Sequence, residues 1–293
     1  MRRLSRALLA LLPLLACTAV APATAQSPST AARAVPPVTK LLVFVEENHS
    51  LDQMRAGMPY TAGLAERYGQ ATDYRAIRHP SLPNYVAIAG GSTYGIADDA
   101  LPPAHRIAGR SVFGQALRNH RTAALYAESM PVRCGRANAG PYAPKHNPWT
   151  YFARERTACV AHDRGMRAFT ADTAAGRLPR VGMVVPNLRH DAHDGSLATA
   201  DAWFKAQMTK VFAGPDWKSG RLAVVLTADE DNRSQGNTVL TVVIHPSQDH
   251  HVVTTRLTHY SLTRLYDEVA RLPYLRNAAT APSMATSFGL PLG

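Results

Sequence analysis

The sequence predicts an α/β fold of three layers, in which a mainly parallel central sheet is flanked by helices on both faces. Short apolar runs, rich in β-branched residues and bounded by polar or turn residues, are typical of buried parallel strands. Segments in which apolar residues recur at helical spacing alternate with these runs. Such alternation favours a sheet covered by helices on both sides.

Five apolar runs are predicted to be buried parallel strands, at 40–45, 122–126, 181–185, 221–227 and 238–244. Helical patterns fall between or after them, at 60–68, 82–90, 111–119, 200–213 and 261–272. In the last of these, Leu262, Leu265, Tyr266 and Val269 recur at a spacing that places them on one helical face.

The first 25 residues have the pattern of a secretory signal peptide. Three arginines precede an apolar stretch that is too short to span a bilayer, and a small-x-small cleavage site ends at Ala25. Lipid attachment at Cys17 is an alternative that we favour less, because residues 14–17 resemble a lipobox only loosely. We therefore expect the protein to be secreted or held in the periplasm or cell envelope.

Residues 26–37 are predicted to be a flexible leader, and residues 38–293 a single domain of the size expected for one large α/β unit. The chain has 32 Lys and Arg and 21 Asp and Glu. Without the three signal arginines the balance is 29 − 21 = +8. A basic surface attracts anions such as phosphate esters and phospholipid head groups. The basic residues are scattered rather than clustered with aromatic residues, so we predict no nucleic-acid partner, and we predict no stable protein partner.

Two cysteines remain after removal of the signal peptide, Cys134 and Cys159. An even pair in an exported chain predicts one disulfide. Two free thiols are the alternative, and we favour it less for a protein outside the cytoplasm.

Three of the predicted strands end in clusters of carboxylate, amide and imidazole side chains. These clusters are residues 46–49, residues 186–194 and residues 228–232. In open α/β sheets, ligands bind outside the carboxyl ends of the strands. Oxygen and imidazole ligands without thiolate suit Zn, Mn, Mg, Ca or Fe. The sequence therefore predicts a shared site for a divalent metal ion, with a second ion as a further option.

Ser81 is the candidate nucleophile. Pro83 fits the first turn of a helix, which places Ser81 at the helix N-terminus. One interpretation is an ordinary helix cap. The other is a hydroxyl at an anion-binding helix end, where a metal could lower its pKa and make it a nucleophile. The chain has no Gly-x-Ser-x-Gly elbow, which disfavours acyl transfer of the α/β-hydrolase kind.

Six segments, in order, resemble the phosphoesterase family, which contains bacterial phospholipases C and AcpA-type acid phosphatases and belongs to the alkaline phosphatase-like superfamily. They are ENHS-D, HPSLPNY, KHNP, PNLRHDAHD, TADED and HYSLTRLYDE, spread over nearly the whole chain after the leader. The resemblance implies an alkaline phosphatase-like fold and hydrolysis of phosphoric ester bonds with a divalent metal ion.

The resemblance also implies roles for individual residues. Glu47 and Asn48 match the first metal-binding pair of the family, and Asp229 and Glu230 match the acidic pair at a later strand end. The better-known acid phosphatases carry two aspartates there. Glu230 differs from that pattern, and its side chain is longer than that of aspartate. Ser81 matches the nucleophile.

Three further residues are assigned from their positions in these segments. Asp191 and His193 fall in the region of the second metal of alkaline phosphatases, Asp191 as a ligand and His193 as a catalytic residue. His259 falls where alkaline phosphatases place a late metal-binding histidine.

The other candidates are His146, Asn84 and His190. His146, in the KHNP segment, could contact a phosphate oxygen or protonate a leaving group. Asn84 and His190 are predicted to bind substrate.

The expected function is that of a secreted, metal-dependent phosphoric ester hydrolase, a phosphatase with a serine nucleophile. Its substrate would be a phosphate-ester small molecule or a phospholipid. Phospholipases C of this type usually carry additional C-terminal domains, which favours a phosphatase here; a phospholipase C or another phosphodiesterase is the alternative. An exported protein that binds anions or metals without catalysis is the alternative of another class.

Overall fold

The computed structural model describes residues 35–293, which form one compact unit. The predicted signal peptide, Cys17 and all of the leader before Val35 lie outside the described residues. The strands are β1 (Lys40–Glu46), β2 (Gly69–Ala71), β3 (Tyr74–Arg75), β4 (Ala123–Ala127), β5 (Asp163–Arg164), β6 (Val181–Val185), β7 (Leu222–Ala228), β8 (Thr241–Ile244), β9 (His251–Val253) and β10 (Leu257–Thr258).

Ten α-helices accompany these strands in the part of the chain that the structure describes. They are α1 (Leu51–Gly57), α2 (Pro59–Arg67), α3 (Ser81–Gly90), α4 (Val112–Arg118), α5 (Arg156–His162), α6 (Met166–Ala174), α7 (Leu197–Ala213), α8 (Pro215–Lys218), α9 (His259–Ala270) and α10 (Met284–Ser287). Short 3₁₀ helices are found at Pro144–His146, Pro148–Tyr151, Ala153–Glu155 and Arg276–Ala279.

Eight strands form one sheet in the order β5-β4-β6-β1-β7-β8-β2-β9, and β10 pairs with β3 in a separate two-stranded sheet. Strands β4, β6, β1 and β7 are parallel and lie side by side at the centre. Their side chains are buried almost without exception, as expected for strands that are covered on both faces. The predicted α/β fold with a mainly parallel sheet flanked by helices is confirmed.

One strand runs in the direction opposite to the prediction. The apolar run at 238–244 contains β8, which pairs antiparallel with both β7 and β2. The loop between β7 and β8 has no helix, whereas a parallel return needs a long crossover, which is usually helical. Apolar composition reports that a strand is buried, but it does not report strand direction.

The helices form two packed groups. One contains α3, α4 and α9; the other contains α7 with α1, α2, α6 and α8. Phe44, in β1, packs edge-on against Phe204 of α7, with ring centroids 5.1 Å apart. Phe44 is fully buried, and removing a side chain of this size from water contributes roughly 1.5–3 kcal/mol to folding. In the other group, the hydroxyl of Tyr266 in α9 donates a hydrogen bond to the carbonyl of Gly182 in β6.

The predicted disulfide is present between Cys134 and Cys159, whose Cα atoms are 5.6 Å apart. It joins the loop after β4 to α5. Within residues 35–293, no helix combines the length and apolar character needed to cross a membrane.

Candidate active site

Two predicted ligand pairs meet because β1 and β7 are adjacent and end together. The register places Glu46 opposite Ala228, so the residues that follow each strand leave the sheet side by side. The backbone N–H of Asp229 donates to the carbonyl of Glu46 at 2.9 Å. Asn48 has a left-handed backbone with φ of 48°, which asparagine tolerates well, and its N–H donates to Asp229 Oδ1 at 3.2 Å.

The third strand end joins this pair through Asp191. The backbone N–H of Glu47 donates to the carbonyl of Asp191 at 2.8 Å. The ring of His146 lies between the two side chains, with Nε2 3.2 Å from Glu47 Oε1 and Nδ1 3.1 Å from Asp191 Oδ2. Neither contact has hydrogen-bond geometry, since His146 Nε2 and Asp191 Oδ2 both lack a hydrogen-bond partner within residues 35–293. The His146 ring also stacks on Tyr85, with centroids 5.1 Å apart.

Ser81 is the first residue of α3, and its side chain does not cap the helix. Its Oγ donates a hydrogen bond to Glu47 Oε2 at 3.0 Å instead. The N–H of Leu82, in the first turn, is taken by Asp99 Oδ1 at 2.9 Å. Because another residue performs the capping, the helix-cap interpretation of Ser81 does not describe its side chain.

Several buried atoms around Ser81 have no hydrogen-bond partner among the described residues: Glu47 Oε1, Asn48 Oδ1, His146 Nε2, Asp191 Oδ2 and Asp229 Oδ2. Leaving a buried polar atom unpaired costs about 1–3 kcal/mol, and more for a charged group. Carboxylate and amide oxygens with an imidazole nitrogen are the donors that a hard or borderline divalent cation binds. The residues present therefore fit a divalent metal ion.

Electrostatics favours a cation at the same place. Burial raises the pKa of Glu47 well above its usual value, and the charges of Asp229 and Asp191 raise it further. Burial also raises the pKa of Asp191 to about 7 and that of Glu230 to about 8. Buried carboxylates that repel one another gain stability when a cation lies between them.

The donor atoms do not converge on a single point. Among residues 35–293, the group of three His, Cys, Asp or Glu donors within 4.8 Å of one another consists of Cys134, Cys159 and Asp163, and its two sulfurs are joined in the disulfide. The carboxylates around Ser81 do not form such a group in this conformation, and their fit to a cation rests on the chemistry of the donor atoms.

Asn84 is fully buried and holds the segment that precedes Ser81. Its Oδ1 accepts from the N–H groups of Ile77 and Arg78, at 3.0 and 3.1 Å. Its Nδ2 donates to the carbonyl of Arg78 at 2.7 Å and to Glu230 Oε2 at 3.2 Å. The predicted substrate-binding amide is thus satisfied within the protein in this conformation, and it joins the nucleophile segment to the later acidic pair.

His79 is a site residue that the sequence patterns did not identify. Its Nδ1 lies 3.1 Å from Glu230 Oε2, and its Nε2 lies 3.2 Å from Asp231 Oδ1. Its position two residues before Ser81 was the available signal, but proximity in sequence alone does not separate such a residue from one that packs against the neighbouring Pro80.

His259 lies at the site, but both of its ring nitrogens contact protein groups. Its Nε2 is 2.6 Å from the carbonyl of Asp229, which must accept, and its Nδ1 is 3.1 Å from the hydroxyl of Tyr74. Burial lowers the pKa of His259 to about 4, so the ring is neutral at ordinary pH. The predicted metal ligand therefore has neither nitrogen free in this structure, and it positions the backbone of Asp229.

His193 lies at the partly exposed rim of the site. Its Nδ1 is 2.8 Å from Asp194 Oδ1, and its Nε2 is 3.2 Å from Lys145 Nζ. Because the ammonium can only donate, Nε2 accepts, and the ring proton sits on Nδ1. The backbone N–H of His193 donates to Asp191 Oδ1 at 2.8 Å, which ties this rim residue to the buried cluster.

The side chain of His190, which is predicted to bind substrate, contacts Glu128 and Trp203 in the structure. Its Nδ1 is 2.9 Å from Glu128 Oε2, and its ring stacks on Trp203.

Glu46, the neighbour of Glu47, is also buried. Burial raises the pKa of Glu46, and the negative charges of Asp191 and other acids raise it further.

The model of the phosphoesterase family matches residues 53–265 of this chain. A phosphatidylinositol-3-phosphatase of Mycobacterium tuberculosis is 30% identical over 271 residues, which cover 88% of this chain and 86% of that protein. A phosphate-repressible acid phosphatase of Penicillium chrysogenum is 31% identical over 206 residues, covering 65% of this chain and 49% of that protein. The chain thus spans about half the length of this fungal relative.

Solved structures share the fold at low identity. A protein of the alkaline phosphatase superfamily from Vibrio parahaemolyticus superposes with a TM-score of 0.60 at 10% identity, over 86% of this chain and 72% of that chain. A lipoteichoic acid synthase from Listeria monocytogenes gives a TM-score of 0.56 at 8% identity, over 84% of this chain and 76% of that chain. Both likenesses concern the fold alone.

Proposed function

The chain belongs to the phosphoesterase family and hydrolyses phosphoric esters, and we propose that it does so as an exported, metal-dependent phosphatase in which Ser81 is the nucleophile. One observation carries the proposal. Ser81 Oγ is hydrogen-bonded to Glu47 Oε2 at the start of a buried helix, among buried oxygens that have no hydrogen-bond partner in the part of the chain that the structure describes. The Ser81 hydroxyl does not cap the helix, and it is directed at a carboxylate of the predicted metal site.

The residues that would hold the metal ion are Glu47, Asn48, Asp229 and Glu230, with Asp191 as a further ligand. The first three, and Asp191, each have a buried oxygen without a hydrogen-bond partner within residues 35–293. When bound, a divalent cation polarises a phosphoryl oxygen and lowers the pKa of a hydroxyl in contact with it. His146 supports this set by lying between Glu47 and Asp191.

The protein's own groups account for the two chemical steps. In the first, Ser81 Oγ bonds to phosphorus while its proton goes to Glu47 Oε2, and the ester oxygen leaves with the electron pair of the broken P–O bond. The leaving oxygen would take its proton from Nε2 of a doubly protonated His193, which in that form no longer accepts from Lys145 and keeps its Nδ1 contact with Asp194. In the second step, the oxygen of a water molecule bonds to phosphorus while one of its protons returns to His193, and the bond between phosphorus and Ser81 Oγ breaks. Oγ takes back its proton from Glu47, which releases phosphate and frees Ser81. The N-terminal end of α3 favours the negative charge of the phosphoryl group throughout.

Phosphate monoesters are the proposed substrates. Both the mycobacterial and the fungal relative are named as phosphatases, and the mycobacterial one matches over nearly its whole length. A lipid phosphomonoester such as a phosphatidylinositol phosphate is therefore part of the proposed range. A phospholipase C or another phosphodiesterase is the alternative within the same chemistry.

A substrate panel tests the proposal. Purified mature protein, loaded in turn with Zn, Mn, Mg, Ca or Fe, is assayed on 4-nitrophenyl phosphate, bis(4-nitrophenyl) phosphate, phosphatidylinositol 3-phosphate and phosphatidylcholine. We expect turnover of the monoesters to exceed that of both diesters. Faster release of a phosphorylated head group from phosphatidylcholine would make the protein a phospholipase C. Binding of metal and phosphate with no turnover of any substrate would make it a non-catalytic binding protein.

A further inference from the structure

We propose that Lys145 binds a non-esterified oxygen of the phosphoryl group, that Asp99 holds Lys145 in place, and that this pair makes the site favour monoesters over diesters. The proposal rests on the proposed function for its substrate. The contacts that tie one ammonium group to the segment of Ser81 support it.

The ammonium of Lys145 is held by two partners. Its Nζ lies 3.2 Å from Asp99 Oδ2 and 3.2 Å from His193 Nε2. The Lys145 side chain is only 19% exposed to solvent, and the Asp99 side chain is 30% exposed. Lys145 is therefore a confined cation whose partners are at the rim, and it is not one of the freely solvated lysines of the surface.

Two chains of contacts tie this cation to the nucleophile. On one side, Asp99 Oδ1 accepts from the N–H of Leu82, the residue after Ser81. On the other side, the next residue, His146, lies 3.2 Å from Glu47 Oε1, and Glu47 Oε2 accepts from Ser81 Oγ. The backbone and side chains that fix Ser81 thus also fix Lys145.

The negative charge around Ser81 favours a contact between the Lys145 ammonium and the substrate. Glu47, Asp229, Glu230 and Asp191 are crowded around Ser81, and a phosphate monoester brings further negative charge. A monoester has three non-esterified oxygens, which carry close to two negative charges near neutral pH. A diester has two such oxygens and one charge. A lysine that binds the third oxygen stabilises the monoester and gains no matching contact with the diester.

The position of Asp99 explains how Lys145 is kept ready. In the structure Asp99 contacts the Lys145 ammonium through Oδ2 and accepts a hydrogen bond from the N–H of Leu82 at Oδ1. The ammonium has three N–H donors, of which Asp99 and His193 take two in the structure. The third can bind the phosphoryl oxygen while Asp99 keeps its contact with Lys145, so Asp99 is a positioning residue rather than a catalytic one.

The test compares Lys145→Met, Lys145→Arg and Asp99→Asn with Lys205→Met, which removes an exposed lysine on α7. Two quantities are measured on the metal-loaded mature protein: kcat/KM for 4-nitrophenyl phosphate and for bis(4-nitrophenyl) phosphate, and the affinity for inorganic phosphate by calorimetry. Losing one donor to developing charge costs about 10²–10³ in rate. We expect Lys145→Met to lower the monoester value by about that factor and to leave the diester value within about threefold.

Inorganic phosphate should bind at least about tenfold more weakly to Lys145→Met, since a charge-assisted hydrogen bond is lost. Lys145→Arg should recover part of the monoester preference, because it keeps the charge. Asp99→Asn should lower the monoester-to-diester ratio by a smaller factor, a change that loss of folding stability alone would not produce. Lys205→Met should match the wild type in all measurements.

Equal losses on monoester and diester, or phosphate affinity unchanged in Lys145→Met, would overturn the proposal. If the wild type binds phosphate but hydrolyses neither ester, the proposed function fails, and the calorimetric comparison alone then decides the role of Lys145. A wild type that does not bind phosphate at all overturns both.

Discussion

Ser81 Oγ donates a hydrogen bond to Glu47 Oε2 across 3.0 Å, although the two residues are 34 positions apart in the chain. Glu47 directly follows β1, and Ser81 begins α3, so the bond joins the edge of the sheet to the start of a buried helix. This relationship places a hydroxyl beside a buried carboxylate, one oxygen of which has no hydrogen-bond partner among the residues that the structure describes. It makes Ser81 the residue whose replacement is most informative.

Replacing Ser81 with alanine should abolish turnover while leaving the fold and the metal intact. We expect the rate to fall by at least about a thousandfold, because the covalent route is removed while the anion-binding groups remain. Brief incubation of the wild type with substrate at a pH that slows dephosphorylation should place phosphate on the peptide containing Ser81, as detected by mass spectrometry. Ser283→Ala is the control, because Ser283 does cap a helix and its loss should cost about 1 kcal/mol of stability without affecting the rate. A Ser81→Ala variant within a few-fold of wild-type turnover would make direct attack by water the leading mechanism.

Removing the metal should remove activity. Dialysis against a chelator should abolish hydrolysis and added divalent ion should restore it, because the buried carboxylates supply no positive charge for the phosphoryl group. Glu47→Gln and Asp229→Asn should each lower the metal retained per chain, measured by elemental analysis after dialysis, whereas the exposed Asp249→Asn should retain the wild-type content. Full activity after exhaustive removal of metal would be incompatible with the proposed chemistry.

The disulfide should account for a substantial part of the stability. Cys134 and Cys159 close a loop of 25 residues. Replacing both with serine should lower the free energy of unfolding by about 3 kcal/mol in the chain-entropy model, as measured by urea denaturation. Thiol titration of the denatured, non-reduced mature protein should find no free thiol, and finding two would contradict the pairing.

Asp163, buried beside this disulfide, should make the protein less stable as the pH rises. Burial raises its pKa to about 7, whereas an unfolded chain loses this proton near its ordinary value of 3.8. Between these values the folded state binds the proton and the unfolded state does not, so the free energy of unfolding falls as pH increases from about 4 to 7. The loss from this group is up to about 4 kcal/mol, from about 1.4 kcal/mol for each unit of pKa difference.

Urea denaturation of wild type and Asp163→Asn at pH 5 and pH 8 measures this effect. The loss of stability between the two pH values should be smaller in the variant, because asparagine cannot ionise. The comparison cancels other groups that titrate in both proteins. An identical pH dependence in the two proteins would show that Asp163 does not hold its proton in the folded state.

The features of the fold and the site that could be predicted are those that depend on residues close together in the sequence. Glu47 and Asp229 follow apolar runs that any α/β sheet buries, so their place at the carboxyl edge could be inferred from pattern alone. The disulfide could be inferred because two cysteines allow one pairing. The direction of β8 could not, since burial is the same for parallel and antiparallel strands and a loop decides the return.

The orientation of individual side chains could not be predicted from the sequence either. His259 reaches the site, but its two nitrogens go to the Asp229 carbonyl and the Tyr74 hydroxyl. Asn84 turns toward the backbone of the preceding segment, and His79 bridges two acids that no spacing rule connects to it. Each orientation depends on which partner lies within about 3 Å, a distance set by elements remote in sequence.

By itself, the sequence determined which strands are buried, which strand ends carry carboxylate, amide and imidazole side chains and which hydroxyl begins a helix, because periodicity and residue chemistry are local properties. Tertiary structure decided that β1 and β7 end in register, so that Glu47 and Asp229 become neighbours, and that Asp99 rather than Ser81 satisfies the first turn of α3. It also decided that Lys145 lies beside Asp99 and His193. These relationships follow from strand register and from loops that pack across the sheet edge, where the free energy depends on contacts between residues far apart in the chain.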